Sequence, residues 1–210
     1  MSERVVAALT AINNAISQNK QLLTDLDAAI GDADHGINMT RGFGAALVKV
    51  NELAAASDVG MILKTVGMTL IATVGGAAGP LYGTAFLRAA KAAQGVIDVD
   101  GQTAVRMFEA AIEGIKQRGK ATRGEKTMLD ALEPAYEAFI NGINAEKLLI
   151  ECLGLACEAA DKGVEYTKTI IATKGRASYL GERSRGHQDP GATSSYIMLK
   201  ALADFCQSGR

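Results

Sequence analysis

Apolar residues in this chain recur every three or four positions and nowhere alternate one-in-two over a useful length, which restricts the fold to packed helices. Val5, Val6, Leu9, Ile12 and Ile16 mark one face of a first helix. Leu22, Leu23 and Leu26, running on to Ile30, mark a second. A third is expected over 37–53, with Phe43, Leu47 and Val50 on its buried side. Ser57 is a candidate N-cap for a helix ending near residue 73, and Pro80 suits the first position of one ending near residue 94. Further helical patterns cover 102–118, 127–141 and 145–172, and Asp189-Pro190 reads as N-cap plus first residue of the last helix. There Ala192, Tyr196, Leu199, Leu202 and Phe205 should face inward, wholly or in part. Aromatic content is 5% with no Trp, so burial must come mainly from Ala, Leu, Ile, Val and Met, which suits close helix packing. About eight helices on mostly short connections favour antiparallel neighbours, hence an all-α bundle or helical barrel. No repeat, low-complexity tract or linker divides residues 1–210, which are read as one domain.

Lys and Arg number 22 against 23 Asp and Glu, a net charge of −1, which argues against a nucleic-acid binder relying on bulk charge. Three cysteines, Cys152, Cys157 and Cys206, show no CxxC spacing; they fit idle thiols in a reducing, cytoplasmic setting better than a disulfide framework or a zinc site. The N-terminal residues carry no signal-peptide pattern. Residues 65–87 are uncharged and long enough to span a bilayer, but Gly75, Gly76, Gly79 and Pro80 fall near their centre. Unpaired backbone there is too costly in lipid, so two helices joined by a glycine loop are expected, and no membrane partner.

Three segments carry chemistry. Asp27, Asp32 and Asp34 fall within eight positions of one another around a helix end and a turn. Converging carboxylates repel unless a cation lies between them, and all-oxygen ligands suit Mg²⁺ or Ca²⁺. The spacing is not that of an EF-hand; the alternative is a solvated acidic helix end. His35 follows the cluster, either as a hydrogen-bond donor to a phosphate or as a local partner. Residues 73–80 enter a helix through Gly75, Gly76 and Gly79, which allows an anion nest or simply a tight turn. A polar stretch over 174–188 holds Lys174, Arg176, Arg183, Arg185 and His187, either a mobile phosphate-clamping loop or a solvated charge run. Together the three describe a Mg-nucleotide or Mg-phosphate site. Three aspartates plus ADP carry about −6; one divalent ion leaves about −4 and two about −2, which favours two ions, or one ion and an arginine.

The strings Gly31-Asp32-Ala33-Asp34-His35-Gly36, Val74-Gly75-Gly76-Ala77-Ala78-Gly79-Pro80-Leu81, Gly124-Glu125-Lys126-Thr127-Met128-Leu129-Asp130, Lys174-Gly175-Arg176-Ala177-Ser178-Tyr179-Leu180-Gly181-Glu182-Arg183-Ser184 and His187-Gln188-Asp189-Pro190-Gly191-Ala192 occur in that order. In this the chain resembles the ADP-binding L subunits of bacterial dihydroxyacetone kinase, over nearly its whole length. The resemblance implies an antiparallel eight-helix, barrel-like bundle with the nucleotide at one end. It implies that Asp27, Asp32 and Asp34 bind two Mg²⁺ ions bridging the ADP phosphates, and that His35, Gly36, Ile37 and Asn38 lie against the nucleotide. Ala77 and Ala78 would form the phosphate-side loop. Gly119, Met128 and Arg176 would contact nucleoside or phosphates, with Asp189, Pro190 and Gly191 closing the site. It further implies partners: a K subunit holding dihydroxyacetone, and a phosphohistidine M subunit of the phosphotransferase system that regenerates ATP from bound ADP. Alternatives are an ATP-dependent version with exchanging nucleotide, a nucleotide-dependent contact to a transcription regulator, a metal-dependent phosphohydrolase, and a purely structural bundle.

Overall fold

The computed structural model describes residues 2–53 and 57–209. Among these described residues there are nine α-helices, one 3-10 helix and no strand. The helices are α1 Ser2–Gln18, α2 Lys20–Ile30, α3 His35–Asn51, α4 Val59–Thr73, α5 Ala78–Ala92, α6 Gly101–Gly119, α7 Leu129–Asn144, α8 Leu149–Thr167 and α9 Pro190–Gln207, with the 3-10 helix Arg176–Ser184 before α9. No helix of the described residues is long and apolar enough to cross a membrane. The uncharged stretch is divided between α4 and α5 by a glycine-containing connection, as its glycines require.

From α3 to α9 each helix packs on the next, and α1 packs on both α3 and α9. Ile16, Leu23, Met39, Phe43, Ile62, Val66, Leu70, Ile115 and Leu129 belong to the main buried cluster, to which every α-helix but α8 contributes. Phe139, Cys152, Ala156, Ala160 and Val164 seal α7 against α8. Small residues set the approach of α4 to α5, where a Cβ at Gly67 would lie 2.8 Å from the Gly83 carbonyl. All three cysteines are free thiols.

Several boundaries differ from expectation. Asp58, not Ser57, caps α4: one carboxylate oxygen accepts the Met61 N–H at 2.6 Å and the other accepts the Gly95 N–H at 2.7 Å, bridging to a second loop. α5 begins two residues before Pro80, which still lies in the first turn, where its missing N–H costs nothing. α8 is shorter than 145–172. Glu151 accepts the Leu148 N–H at 2.9 Å and sets its start, while i→i+3 bonds to Lys168 and Thr169 tighten its end. Finally, 174–188 is not an open loop. It holds the 3-10 helix, kinked at Gly181 (φ 54°), and the buried Ser184 hydroxyl accepts the Ala172 N–H at 2.9 Å.

Candidate functional site

On α2 the buried positions are Leu23, Asp27 and Ile30, so a carboxylate interrupts an otherwise apolar face. Asp27 Oδ2 accepts the backbone N–H groups of Asp34 (2.9 Å) and His35 (3.1 Å). It therefore supplies the N-terminal cap of α3, and Asp34, at the N-cap position, makes no side-chain cap bond. That leaves the Asp34 carboxylate unspent. Ala33 lies between Asp32 and Asp34 with φ 60°, a left-handed turn that bends both aspartates back toward α2. Oxygens of Asp27, Asp32 and Asp34 all lie within 4.8 Å of one another. Such a set fits a hard divalent cation. Gly31 is required here, because a Cβ would fall 2.0 Å from Asp27 Oδ1.

The carboxylates border a cavity of about 350 Å³. The first residues of four helices also line it: His35 of α3, Ala78 of α5, Leu129 of α7 and Pro190 of α9. Helix N-termini carry partial positive charge, so the walls favour an anion beside the acidic corner. Gly75, Gly76 and Ala77 add the connection before α5, with Gly76 at φ 64°. Arg176 reaches in from the 3-10 helix, its Nη2 3.0 Å from Asp32 Oδ2. Leu81, Ile115, Ala121 and Met128 give the same cavity an apolar portion. A ligand with a phosphate end and an apolar, ring-like end matches this distribution.

Buried polar groups brace the walls. Lys126 is 1% exposed, with φ 60°, and its ammonium donates to the carbonyls of Thr167, His187 and Ile170. All three protons are thereby spent on backbone, and burial lowers the Lys126 pKa against the pull of Asp189 and Asp130. The lysine ties the end of α8 to the segment before Asp189, so it is a strut and not a phosphate ligand. Asp130 accepts the Gly124 N–H at 2.5 Å and the Thr127 N–H at 2.7 Å, folding the turn that carries Lys126. Asp189 caps α9 by accepting the Ala192 N–H at 2.6 Å. Burial pushes its carboxyl up to about 7 despite that bond, with Asp130 adding to the shift. His35 Nε2 lies 2.9 Å from the Ser194 hydroxyl, which lies 2.7 Å from the Tyr82 hydroxyl. Burial lowers the His35 pKa, and Asp27 and Asp34 oppose this only in part.

Of the sequence-derived candidates, Asp27, Asp32, Asp34, His35, Asn38, Ala77, Ala78, Gly119, Met128, Arg176, Asp189, Pro190 and Gly191 all line the cavity. Gly36 and Ile37 do not. Gly36 lies against α2, where a Cβ would meet the Lys20 carbonyl at 2.1 Å, and Ile37 faces outward at 44% exposure. Among the basic residues of 174–188 only Lys174 and Arg176 line the cavity. Residue-level reading missed Arg118, Lys126 and Thr127, which also line it. Arg118 stands next to the candidate Gly119, and Lys126-Thr127 lie inside a motif already singled out.

The fold and site thus define an all-helical architecture in which three converging carboxylates and the first residues of four helices meet at one cavity. A family model described as the DAK2 domain matches residues 29–204, and the chain belongs to the DAK2 domain family. It is 49% identical over 195 residues to the PEP-dependent dihydroxyacetone kinase 1 ADP-binding subunit DhaL of Listeria innocua, covering 92% of this chain and 91% of that one. The PEP-dependent dihydroxyacetone kinase ADP-binding subunit DhaL of Escherichia coli is 44% identical over 200 residues, covering 95% of each. Among solved structures, the dihydroxyacetone kinase of C. freundii in complex with AMP-PNP and Mg²⁺ superposes with TM-score 0.71 at 25% identity. The match covers 95% of this chain but 33% of that one, so the chain spans about a third of the solved kinase.

Proposed function

We propose that this chain is the nucleotide-binding subunit of a dihydroxyacetone kinase. In this reading it holds Mg-ADP as a cofactor, and a phosphohistidine protein of the phosphotransferase system converts the ADP to ATP. The new phosphoryl group then passes to dihydroxyacetone on a partner K subunit. The observation that carries the reading is the meeting of Asp27, Asp32 and Asp34 with four helix N-termini at one cavity.

Phosphoryl transfer depends on positioning and charge neutralisation more than on covalent chemistry by the protein. Asp27, Asp32 and Asp34 would hold Mg²⁺, the charge balance favouring two ions or one ion together with Arg176. Bound Mg²⁺ supplies neutralisation and alignment of phosphate oxygens. Gly75, Gly76 and the start of α5 orient the phosphates through backbone N–H groups, and Arg176 adds a cation at the same end. Met128 and Ile115 exclude water from the nucleoside end. His35, with its pKa lowered by burial, acts as a neutral hydrogen-bonding group. About 350 Å³ is near the lower end of small-molecule pockets, roughly 300–1,000 Å³, which suits one nucleotide and leaves the acceptor to a partner.

The relatives named PEP-dependent are 49% and 44% identical to this chain, whereas the kinase of C. freundii is 25% identical. That contrast favours the phosphohistidine donor over exchanging ATP. The test is reconstitution: this chain, Mg²⁺, a catalytic trace of ADP, a phosphohistidine donor and a K subunit. Dihydroxyacetone phosphate should form over many turnovers, and omission of this chain should abolish it. Sustained turnover on ATP without the donor would refute the cofactor-like reading.

A further inference from the structure

The amide of Asn38 has a defined orientation. Its Oδ1 lies 2.6 Å from Arg41 Nη2, and a guanidinium has only N–H donors, so the atom facing Arg41 must be the carbonyl oxygen. The NH₂ group is therefore the end left for the cavity that Asn38 lines, beside Gly75. A Cβ at Gly75 would lie 3.2 Å from Asn38 Nδ2 and 3.5 Å from its Oδ1, so the amide lies against the glycine connection with Nδ2 the nearer atom. Asn38 is 5% exposed, so few other partners are available to the NH₂ donors. Arg41 makes a second bond: its Nε donates to the Thr73 carbonyl at 3.0 Å, at the last residue of α4. One planar side chain thus spans from α3 to the end of α4, fixing both Asn38 and the start of the glycine connection. Arg41 itself does not line the cavity and is exposed.

We propose that Arg41 is a positioning residue that makes Asn38 an obligate hydrogen-bond donor to the phosphates of the bound nucleotide. Without Arg41 the amide is free to rotate and present its carbonyl, which a phosphate oxygen repels. The consequence is selectivity within the ligand: Arg41 matters to the diphosphate and not to the nucleoside. This rests on the nucleotide reading above.

The test is titration calorimetry of the full chain in Mg²⁺, with ADP and with adenosine as separate probes. Arg41→Met, an exposed change that should leave the fold intact, is expected to weaken ADP on the order of tenfold while leaving adenosine unchanged. Arg41→Lys, which keeps the charge but not the planar two-point span, should fall between. Asn38→Ala should reproduce the loss, and adding Arg41→Met to it should cost nothing more. Equal ADP binding by wild type and Arg41→Met overturns the proposal, as does full additivity with Asn38→Ala, which would mean that Arg41 acts on the ligand by its own charge. A parallel loss of adenosine and ADP also overturns it, because that marks a general packing defect. Failure of the wild type to bind Mg-ADP would instead remove the nucleotide reading itself.

Discussion

The Arg176 guanidinium lies 3.0 Å from the Asp32 carboxylate, a cation already at the acidic corner. The side chains are 67% and 38% exposed, so the pair contributes at most about 1 kcal/mol to folding. Three converging carboxylates also repel one another. Asp32→Asn is therefore predicted to leave unfolding in denaturant within about 1 kcal/mol of wild type. The same variant should bind Mg-ADP at least about tenfold more weakly, since it removes a charged ligand oxygen. Calorimetry beside a urea melt checks both halves; undiminished ADP binding would contradict the metal role of Asp32.

Lys126 should behave in the opposite way. Its ammonium is buried and serves three backbone carbonyls from two distant segments. Lys126→Met leaves those carbonyls unpaired and should cost about 3 kcal/mol of stability, read as a lower urea midpoint. Lys126→Arg should not rescue it, because the larger planar fork does not fit a site made for an ammonium. A variant with wild-type stability that fails only in nucleotide binding would make Lys126 a ligand and not a strut.

A pH dependence follows from Asp189. Burial raises its carboxyl from 3.8 to about 7 in the folded chain. The folded state thus holds a proton between about pH 4 and 7 that the unfolded state has released, so this group makes stability fall as pH rises through that window. Asp189→Asn keeps the capping oxygen for the Ala192 N–H and removes the titration. Urea midpoints of ligand-free, metal-free protein should therefore show wild type losing ground to Asp189→Asn from pH 4 to 7. Parallel profiles would contradict the assignment.

Two glycines at the entry to α5, Gly76 before it and Gly79 in its first turn, separate conformation from space. Gly76 has φ 64° and open space around it, so Gly76→Ala meets only the left-handed backbone cost, about 1 kcal/mol. Gly79 is a close-approach position, where a Cβ would lie 2.2 Å from the Val74 carbonyl oxygen. Gly79→Ala must shift the backbone and should cost about 3 kcal/mol, with ADP affinity lost as well. Thermal or urea unfolding of the two variants side by side decides the order.

The helices were legible because Leu9, Ile12 and Ile16, or Phe43 and Val50, keep a 3.6-residue period that survives folding. Their ends were less so. Ser57 and Asp58 are both good caps, and only the contact with Gly95 decides between them. The acidic corner was legible because its three aspartates are close in sequence. Lys126 was not: lysines are mostly exposed, and its partners lie 41 to 61 residues away. The 3-10 helix was hidden for a similar reason, since Ser184 is fixed by Ala172 outside it. Arg41 and Asn38, three apart on α3, are neighbours on any helix, but the Thr73 carbonyl that completes the span is a tertiary contact.

The measurement that bears most directly on the central claim is the identity of whatever nucleotide travels with the protein. The chain is purified in Mg²⁺ with no nucleotide added, then denatured, and the released small molecules are separated by chromatography. The account predicts ADP in near-stoichiometric amount, released earlier and in full when EDTA is present. No released nucleotide, together with no thermal shift on adding Mg-ADP, would contradict it.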